Sequence, residues 1–492
     1  MKKMLRNSFV VMIITLISRV LGLGRTVIIA YFFGAGVLTD AYFSAFKIAN
    51  FFRQLLGEGA LGNVFIPIYN EKLKESGEEE SKKLIFSIIN ILFIILSLLA
   101  ILTIVFSNDI VNIMVNGYSD KTKELAGKLL KIMAFYIVAI GIAGMIGAIL
   151  NNFKKFLLPA SISIIFNISI ILFAAFLHNK IGIYSLAIGV LVGGFMQLII
   201  LLPQFFKLVG FFRLKIDFED PALKKIFIML LPMLVGIFAR QINVIVDQYF
   251  ASFLSSGTIS ALENATRLYN LPLGMFGISI ATVVFPMLSK NITENKIEDA
   301  KRNIEEGFKL LIFLVAPSMT VLIYYSKDIV KLILGYGKFS NIAIKITSES
   351  LATYSLGLLF YTGIHILVRG YYSYKDTKTP VKISIIAIGT NILLDYLLVK
   401  EYKYIGLALA TVIASGINFT LLLYFFNKRY FKINVMGIVK FILVVSFKLV
   451  VVVAILNLFE IWIIIKLIFF ALLYLLFWSF EYKKNGKNMF KG

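Results

Sequence analysis

Apolar runs long enough to cross a bilayer recur from one end of this 492-residue chain to the other. A spanning helix needs about 20 predominantly apolar residues. Each residue in such a span must also satisfy its backbone N–H and C=O within the protein, because lipid offers them no partner. The chain is therefore expected to be an all-α integral membrane protein. Fourteen spans can be placed, at about 8–33, 37–69, 84–106, 127–151, 158–178, 182–206, 226–253, 258–288, 306–326, 346–372, 380–399, 404–427, 435–458 and 460–480. The longest polar stretch, about residues 70–83, reads as a loop, so no soluble domain is expected. Lys2, Lys3 and Arg6 before an apolar run give the outline of a signal peptide, but no small-residue cleavage site follows. That segment reads as a retained first helix.

Composition closes several other routes. The chain has no cysteine, which excludes disulfides and thiolate metal sites. Its two histidines, His178 and His365, argue against a histidine-rich zinc site. The net charge of +23 would suit nucleic acid in a soluble protein, but in a membrane chain the placement of charge sets topology. Outside the spans, alternate loops counted from the N-terminus carry roughly 27 Lys and Arg against roughly 9 on the other side. Both termini are expected in the cytoplasm.

Against this apolar background, charged side chains inside spans stand out. An arginine at bilayer depth costs roughly 2.5–3.5 kcal/mol even on the lenient insertion scale, so it marks a cavity, a counter-charge or an anionic ligand. Arg19 and Arg25 lie in the first span, on either side of Gly22 and Gly24, and Arg240 and Arg267 lie in the second half. The halves resemble each other at a spacing of roughly 220 residues, as expected for a duplicated transporter unit. Asp109-Ile110-Val111 matches Asp328-Ile329-Val330, Pro159 matches Pro380, Ile181-Gly182 matches Ile405-Gly406, and Phe33 to Asn50 matches Phe253 to Asn270. This register sets Arg19 opposite Arg240 and Lys47 opposite Arg267. Six spans per repeat give both copies one orientation, hence two six-helix lobes related by a pseudo-two-fold along the membrane normal. The expected domains are 1–215, 216–432, and 433–492 with two additional helices and a basic tail.

Particular blocks carry a family likeness: Ser18 to Arg25 (SRVLGLGR), Phe33 to Asp40 (FGAGVLTD), Ala45 to Arg53 (AFKIANFFR), Gly57 to Pro67 (GEGALGNVFIP), Ala265 to Gly274 (ATRLYNLPLG), Tyr336 to Phe339 (YGKF) and Tyr371 to Lys382 (YYSYKDTKTPVK). On these the chain resembles the MurJ (MviN) family of lipid II flippases, within the multidrug/oligosaccharidyl-lipid/polysaccharide exporter superfamily. It departs from the family where Asp is frequent and this chain has Thr26 and Thr266. The resemblance implies a peptidoglycan-precursor transporter of the bacterial inner membrane, contributing to cell wall biogenesis and cell shape. It also implies that the two additional helices form a groove for the lipid tail.

The expected substrate-binding cations are Arg19, Arg25, Lys47, Arg53, Arg240, Arg267 and Arg369, around an aqueous space. Guanidinium forks suit a diphosphate because they donate paired hydrogen bonds. The resemblance implies this role most directly for Arg19, Arg25, Arg53 and Arg267. The alternatives are pairing with Asp40, Glu58 or Glu263, and snorkelling for Arg53 and Arg240. Asp40 reads either as a gating ion-pair acid or as a solvated loop acid. Asp247, Asn391, Asp395 and Thr411 supply oxygens from three spans, as a small hard cation requires. The resemblance implies a sodium ion there, with the Leu407 carbonyl as a further ligand. A proton-titrating pair and a structural polar knot are the other readings. Gly141, Gly144 and Gly147 read as packing points, His365 as a packing residue, and Tyr371, Tyr372 and Tyr374 as an interfacial belt.

The expectation is a transporter with no cofactor beyond that sodium ion, a lipid-linked precursor and membrane lipid as partners, no nucleic acid, and a monomer working beside cell-wall synthesis proteins. No Gly-x-x-x-x-Gly-Lys-Ser/Thr motif is present, so ATP does not drive it through such a loop. The alternative is an exporter of another polyprenyl-linked glycan; arginine-lined spans disfavour a cationic drug. A membrane enzyme acting on the same lipid is disfavoured because the loops are short, basic and without a His/Asp cluster.

Overall fold

A computed structural model describes residues 2–56, 60–214, 216–459 and 461–485. Among them every regular element is helical. In chain order these are α1 (Lys2–Phe33), α2 (Val37–Leu56), α3 (Ala60–Val105), α4 (Ser107–Met114), α5 (Asp120–Met133), α6 (Tyr136–Asn152), α7 (Leu157–Ile181), α8 (Tyr184–Val209), α9 (Pro221–Ser252), α10 (Thr258–Pro272), a π-helical turn (Leu273–Gly277), α11 (Ile278–Thr293), α12 (Ile297–Tyr324), α13 (Ser326–Leu334), α14 (Asn341–Ser355), α15 (Leu358–Ser373), α16 (Lys378–Arg429), α17 (Val435–Asn457) and α18 (Ile463–Asn485).

Eight helical stretches among the described residues are long and apolar enough to cross a membrane. The number is ten if two bent pairs each make one span: Asp120–Met133 with Tyr136–Asn152 (42°), and Asn341–Ser355 with Leu358–Ser373 (43°). Two of the stretches hold a break. At 1.5 Å per residue α3 would run to about 69 Å if straight, more than twice the ~30 Å hydrocarbon core. It turns instead at Gly77 (φ 80), and α16 turns at Lys403 (φ 51). The segment expected to be a loop at 70–83 is thus helix on both sides of Gly77. Its charges explain why: Lys82 pairs with Glu78 at 2.8 Å and Lys83 with Glu80 at 2.5 Å, the helical i,i+4 and i,i+3 spacings.

The chain forms two compact units. The first is Met1–Ser260 with Tyr336–Ala343, and the second is Ala261–Gly335 with Ile344–Gly492. In the first, α1 packs on α7, α7 on α8, α6 on α8 and α3, and α9 on α3. Its core gathers Phe65, Leu84, Leu96, Ile146 and Phe205 with Leu223 and Ile226 from the start of α9. Asp220 caps α9, accepting from Ala222 N at 2.9 Å ahead of Pro221, and pairs with Lys72 of α3. Lys225 and Glu71 add a 2.6 Å pair alongside. In the second unit, α12 packs against α11, α15 and α17, and α17 against α18. Val445, Leu449 and Val452 of α17 meet Phe470, Tyr474 and Trp478 of α18, and Tyr474 donates to the Phe313 carbonyl at 3.0 Å. Large apolar side chains such as Phe176, Ile113 and Phe447 are exposed, as a lipid-facing surface requires.

Some local backbone conformations recur at one sequence separation. Lys154 (φ 59) and Lys375 (φ 60) both end a helix in the left-handed region. The following residue in each case donates back to a carbonyl five positions earlier, Lys155 N to Leu150 O at 2.9 Å and Asp376 N to Tyr371 O at 3.0 Å. Gly182 (φ 56, ψ −137) and Lys403 (φ 51, ψ −130) share a second rare conformation. Both pairs, like Pro159 and Pro380, have the same sequence separation, so Gly182 corresponds to Lys403. The match to Gly406 expected from sequence is corrected by three residues. The aromatic belt also needs correcting. Tyr371 is fully buried and donates to Leu422 O at 2.8 Å, while Tyr374 stacks on Tyr430 with ring centroids 4.0 Å apart. Only Tyr372 of the three is exposed.

Candidate functional site

Arg267 is held in place by its own helix. In α10, Glu263 lies one turn before it, and Glu263 Oε1 accepts from Arg267 Nε at 3.2 Å and lies 3.1 Å from Nη2. Both side chains are 18% exposed, so the pair is screened but reachable. The carboxylate pairing expected as the alternative for Arg267 is therefore real. A fork held this way is oriented by its own helix. A π-helical turn follows directly after Pro272, a device that recurs at functional sites.

Beside Arg267 the same helix walls an apolar groove of about 480 Å³. Leu271 and Pro272 of α10 and Met275 of the π-turn form one side, Phe313 and Pro317 of α12 another, and Tyr474 of α18 a third. Leu268, the residue after Arg267, is also in its wall. The groove expected from the last two helices was implied by resemblance alone; α18 lines this one and, among the described residues, no α17 residue does. Its walls come from positions about 200 residues apart, which no local pattern reveals.

The first unit carries its own cations. Arg19, Arg25, Lys47 and Arg53 are each half-buried on α1 and α2. Arg25 lies over the Phe166 ring at 5.6 Å, and Arg53 Nε donates to Asn50 Oδ1 at 2.5 Å. Asn167 of α7 donates to Ser18 O at 3.2 Å, fastening the turn that bears Arg19. In the second unit Arg369 lies over Phe285 at 5.8 Å. Glu58 and the side chain of Arg240 lie outside the described residues.

Asp40 is not a solvated loop acid, and among the described residues no ion pair to it is seen. It is 2% exposed, and its carboxylate accepts from Gly257 N (2.6 Å), Ser260 N (2.8 Å) and Ser260 Oγ (2.6 Å). These are the unsatisfied donors at the start of α10, so Asp40 caps a helix more than 200 residues away in sequence. Ser260 Oγ also reaches Thr39 Oγ1 at 2.8 Å, and Tyr118 meets Ser44 at 3.2 Å nearby. Thr39, Ser260 and Gly257 were missed in the sequence; the signal was the Ser255-Ser256-Gly257-Thr258 run, a helix-start composition.

Asn391 and Asp395 are buried in the first arm of α16, and Asn391 Nδ2 donates to Asp395 Oδ2 at 2.8 Å. In the second arm Thr411 Oγ1 donates to Leu407 O at 3.1 Å. The arms are close, because a Cβ on Gly406 would overlap the Leu398 carbonyl. Asp247, half-buried on α9, belongs to the first unit. Among the described residues no group of three or more His, Asp or Glu side chains gathers.

The family described as "Lipid II flippase MurJ" matches residues 29–478. A probable lipid II flippase MurJ of Buchnera aphidicola subsp. Schizaphis graminum (strain Sg) is 36% identical over 441 residues, covering 89% of this chain and 84% of that protein. The chain belongs to the lipid II flippase MurJ family. A probable lipid II flippase MurJ of Vibrio cholerae (strain N16961) is 35% identical over 432 residues, with 86% and 82% covered. Among solved structures, "Lipid II flippase MurJ, inward closed conformation" superposes with a TM-score of 0.85 at 34% identity, covering 97% of this chain and 99% of that one. An inward-facing multidrug resistance MATE transporter of the MOP superfamily superposes with a TM-score of 0.72 at 12% identity (86% and 98% covered), a likeness of fold alone.

Membership of the MurJ family makes this a membrane transporter rather than an enzyme. Thr26 is buried, and its hydroxyl donates back to Gly22 O at 3.1 Å, so the position beside Arg25 is filled by a neutral group bonded to its own helix.

Proposed function

We propose that this chain carries lipid II, the undecaprenyl-diphosphate-linked peptidoglycan precursor, from the cytoplasmic to the outer leaflet of the bacterial inner membrane. The observation that carries the reading is the adjacency in α10 of a guanidinium and an apolar groove. Arg267 suits a diphosphate, and the groove beginning at Leu268 suits a polyprenyl tail. Few substrates other than a lipid with an anionic head need both.

In this reading Arg19, Arg25, Lys47, Arg53, Arg240 and Arg369 join Arg267 in receiving the head. The tail stays in lipid and in the groove that α18 helps to wall. Fourteen spans in two six-helix repeats, with α17 and α18 added and both termini cytoplasmic, alternate access to the head-binding cations, and the monomer is the working unit. Release of Asp40 from α10 accompanies opening on the outer side. Asp247, Asn391, Asp395, Thr411 and the Leu407 carbonyl hold a sodium ion, whose charge offsets the buried Asp395 carboxylate and biases the equilibrium between states.

The test is rescue of cells depleted of their own peptidoglycan-precursor flippase, read by accessibility of the precursor at the outer leaflet. The wild-type chain restores it and Arg267→Ala, inserted at equal level, does not. Failure of the wild-type chain to move the precursor while it moves another polyprenyl-linked glycan would reassign the cargo.

A further inference from the structure

Two short segments recur in the repeat without a role so far: Val115 to Ser119 (VNGYS) after α4, and Tyr336 to Ser340 (YGKFS) after α13. They carry Gly117 and Gly337 within one residue of matching places, eight residues after Asp109 and nine after Asp328. Each segment lies on the end of the first helix of the other repeat. Gly117 N donates to Ser252 Oγ at the end of α9 at 3.0 Å, and a Cβ on Gly117 would come 2.6 Å from Phe253 N and 2.7 Å from Phe253 Cα. Lys338 N donates to Tyr31 O at the end of α1 at 2.9 Å, and a Cβ on Gly337 would overlap that same carbonyl. Phe33 and Phe253, which mark these two helix ends, are themselves a repeat pair. The two contacts are therefore reciprocal in sequence position.

Both segments are anchored by an aromatic residue. Phe339 is 5% exposed, and Tyr118 places its hydroxyl 3.2 Å from Ser44 Oγ on α2. The turns opposite are equally close: a Cβ on Gly34 would overlap Lys338 O, and one on Gly257 would come 2.7 Å from Ala35 O. Real Cβ atoms do not make contacts under 3.0 Å, so these backbones meet only because glycine stands at each point.

We propose that the 115–119 and 336–340 segments are a pair of glycine straps that close the outer side, and that Gly117 and Gly337 are positioning residues for transport. The straps dock backbone to backbone when the outer side is shut and undock when it opens. This rests on the transporter reading and on the topology that puts these loops outside. Backbone contact suits a reversible closure, since few side chains need reordering each cycle.

The natural chain has no cysteine, so single introduced cysteines report cleanly. Ser44→Cys, fully buried beneath Tyr118, is labelled from outside with a membrane-impermeant maleimide. Gly117→Ala should raise its labelling rate about tenfold, the effect of shifting the closed state by one decade. A cysteine at exposed Tyr336 should label at the same rate in both backgrounds. Gly117 has an ordinary φ, so its loss is read as lost contact, whereas Gly337 (φ 62) would add backbone strain. Equal Ser44→Cys labelling with Gly117 and with Ala overturns the proposal. A second arm does not depend on that variant folding. Tyr31→Cys with Lys338→Cys, oxidised to a disulfide, should stop precursor flipping, and reduction should restore it. Full flipping with the strap cross-linked overturns the proposal. Faster labelling in a chain that moves no precursor supports the straps and refutes only the cargo.

Discussion

Replacing Asp40 by alanine removes three hydrogen bonds from the start of α10 at once. Two are backbone donors, Gly257 N and Ser260 N, and the third is the Ser260 hydroxyl. Hydrogen bonds to a charged group contribute about 1.5–3 kcal/mol each, and a buried donor left unpaired costs about 1–3 kcal/mol. These overlap rather than add, and the hydroxyl can rotate toward Thr39. Loss of a helix cap alone costs about 0.5–2 kcal/mol. A net loss of about 3 kcal/mol for the arrangement in which Asp40 meets α10 is a reasonable central value, or roughly a hundredfold at about 1.4 kcal/mol per decade. A transporter that cannot hold this arrangement loads substrate poorly from the cytoplasm. Asp40→Ala should therefore cut precursor flipping by one to two orders of magnitude and lower the thermal unfolding temperature of the purified protein. Asp40→Asn, which keeps one acceptor oxygen but turns an amide toward donors, should fall between. Wild-type flipping and melting in Asp40→Ala would refute the capping argument, since Gly257 N and Ser260 N both donate to Asp40 oxygens.

Ala471→Trp, which fills the groove beside Phe313 and Tyr474, should slow flipping of a long-tailed precursor far more than of a short-tailed analogue; equal slowing of both would remove the groove from tail binding. Asp395→Asn should make flipping in proteoliposomes insensitive to replacing sodium by choline, whereas the wild type slows on that replacement. In the loop after α15, burial raises the Asp376 pKa, but hydrogen bonds from Thr379 N (3.0 Å), the Thr379 side chain and the Tyr430 hydroxyl (3.0 Å), with Arg429 nearby, outweigh it and leave the pKa below the ordinary value. A lowered folded-state pKa means that stability is present above about 3.9, the unfolded value, and is lost as pH falls through the folded one. Asp376→Asn should accordingly melt below wild type at neutral pH, with the gap closing in acid; a gap independent of pH would rule out the charge as its origin.

What the sequence made legible was whatever physics writes in one dimension. Span length, the excess of Lys and Arg in alternate loops and the cost of an intramembrane arginine can all be read without coordinates. So can the pairing of Glu263 with Arg267, because a four-residue spacing on a helix is already a contact. Asp40 resisted for the opposite reason, since its partners lie at 257–260 and a carboxylate beside a short loop looks solvated. A recurrence at roughly 220 residues was legible in the letters, but the position of the recurring backbone turn at the sixth span was not. Ile181-Gly182 and Ile405-Gly406 look alike in letters, while the backbone places the shared turn at Lys403, where lysine adopts a conformation usually left to glycine. The 70–83 segment misled through composition, for Glu and Lys are as much at home on an exposed helix as in a loop.

The Glu263–Arg267 pair looks at first like an argument against substrate binding, because a neutralised guanidinium attracts an anion less. Energetics point the other way. An arginine in this partly buried place must have a counter-charge in every state of the cycle, including those without substrate. A carboxylate one turn away on the same helix supplies it with no movement of α10, and leaves part of the guanidinium surface reachable. In the proposed cycle a diphosphate, carrying more charge than one carboxylate and more acceptor oxygens, shares or displaces Glu263, and the carboxylate takes the guanidinium back after release. Such an exchange would keep the energies of the empty and loaded states close. A carrier needs that balance, since a site that grips its cargo too tightly in one state does not let it go in the next.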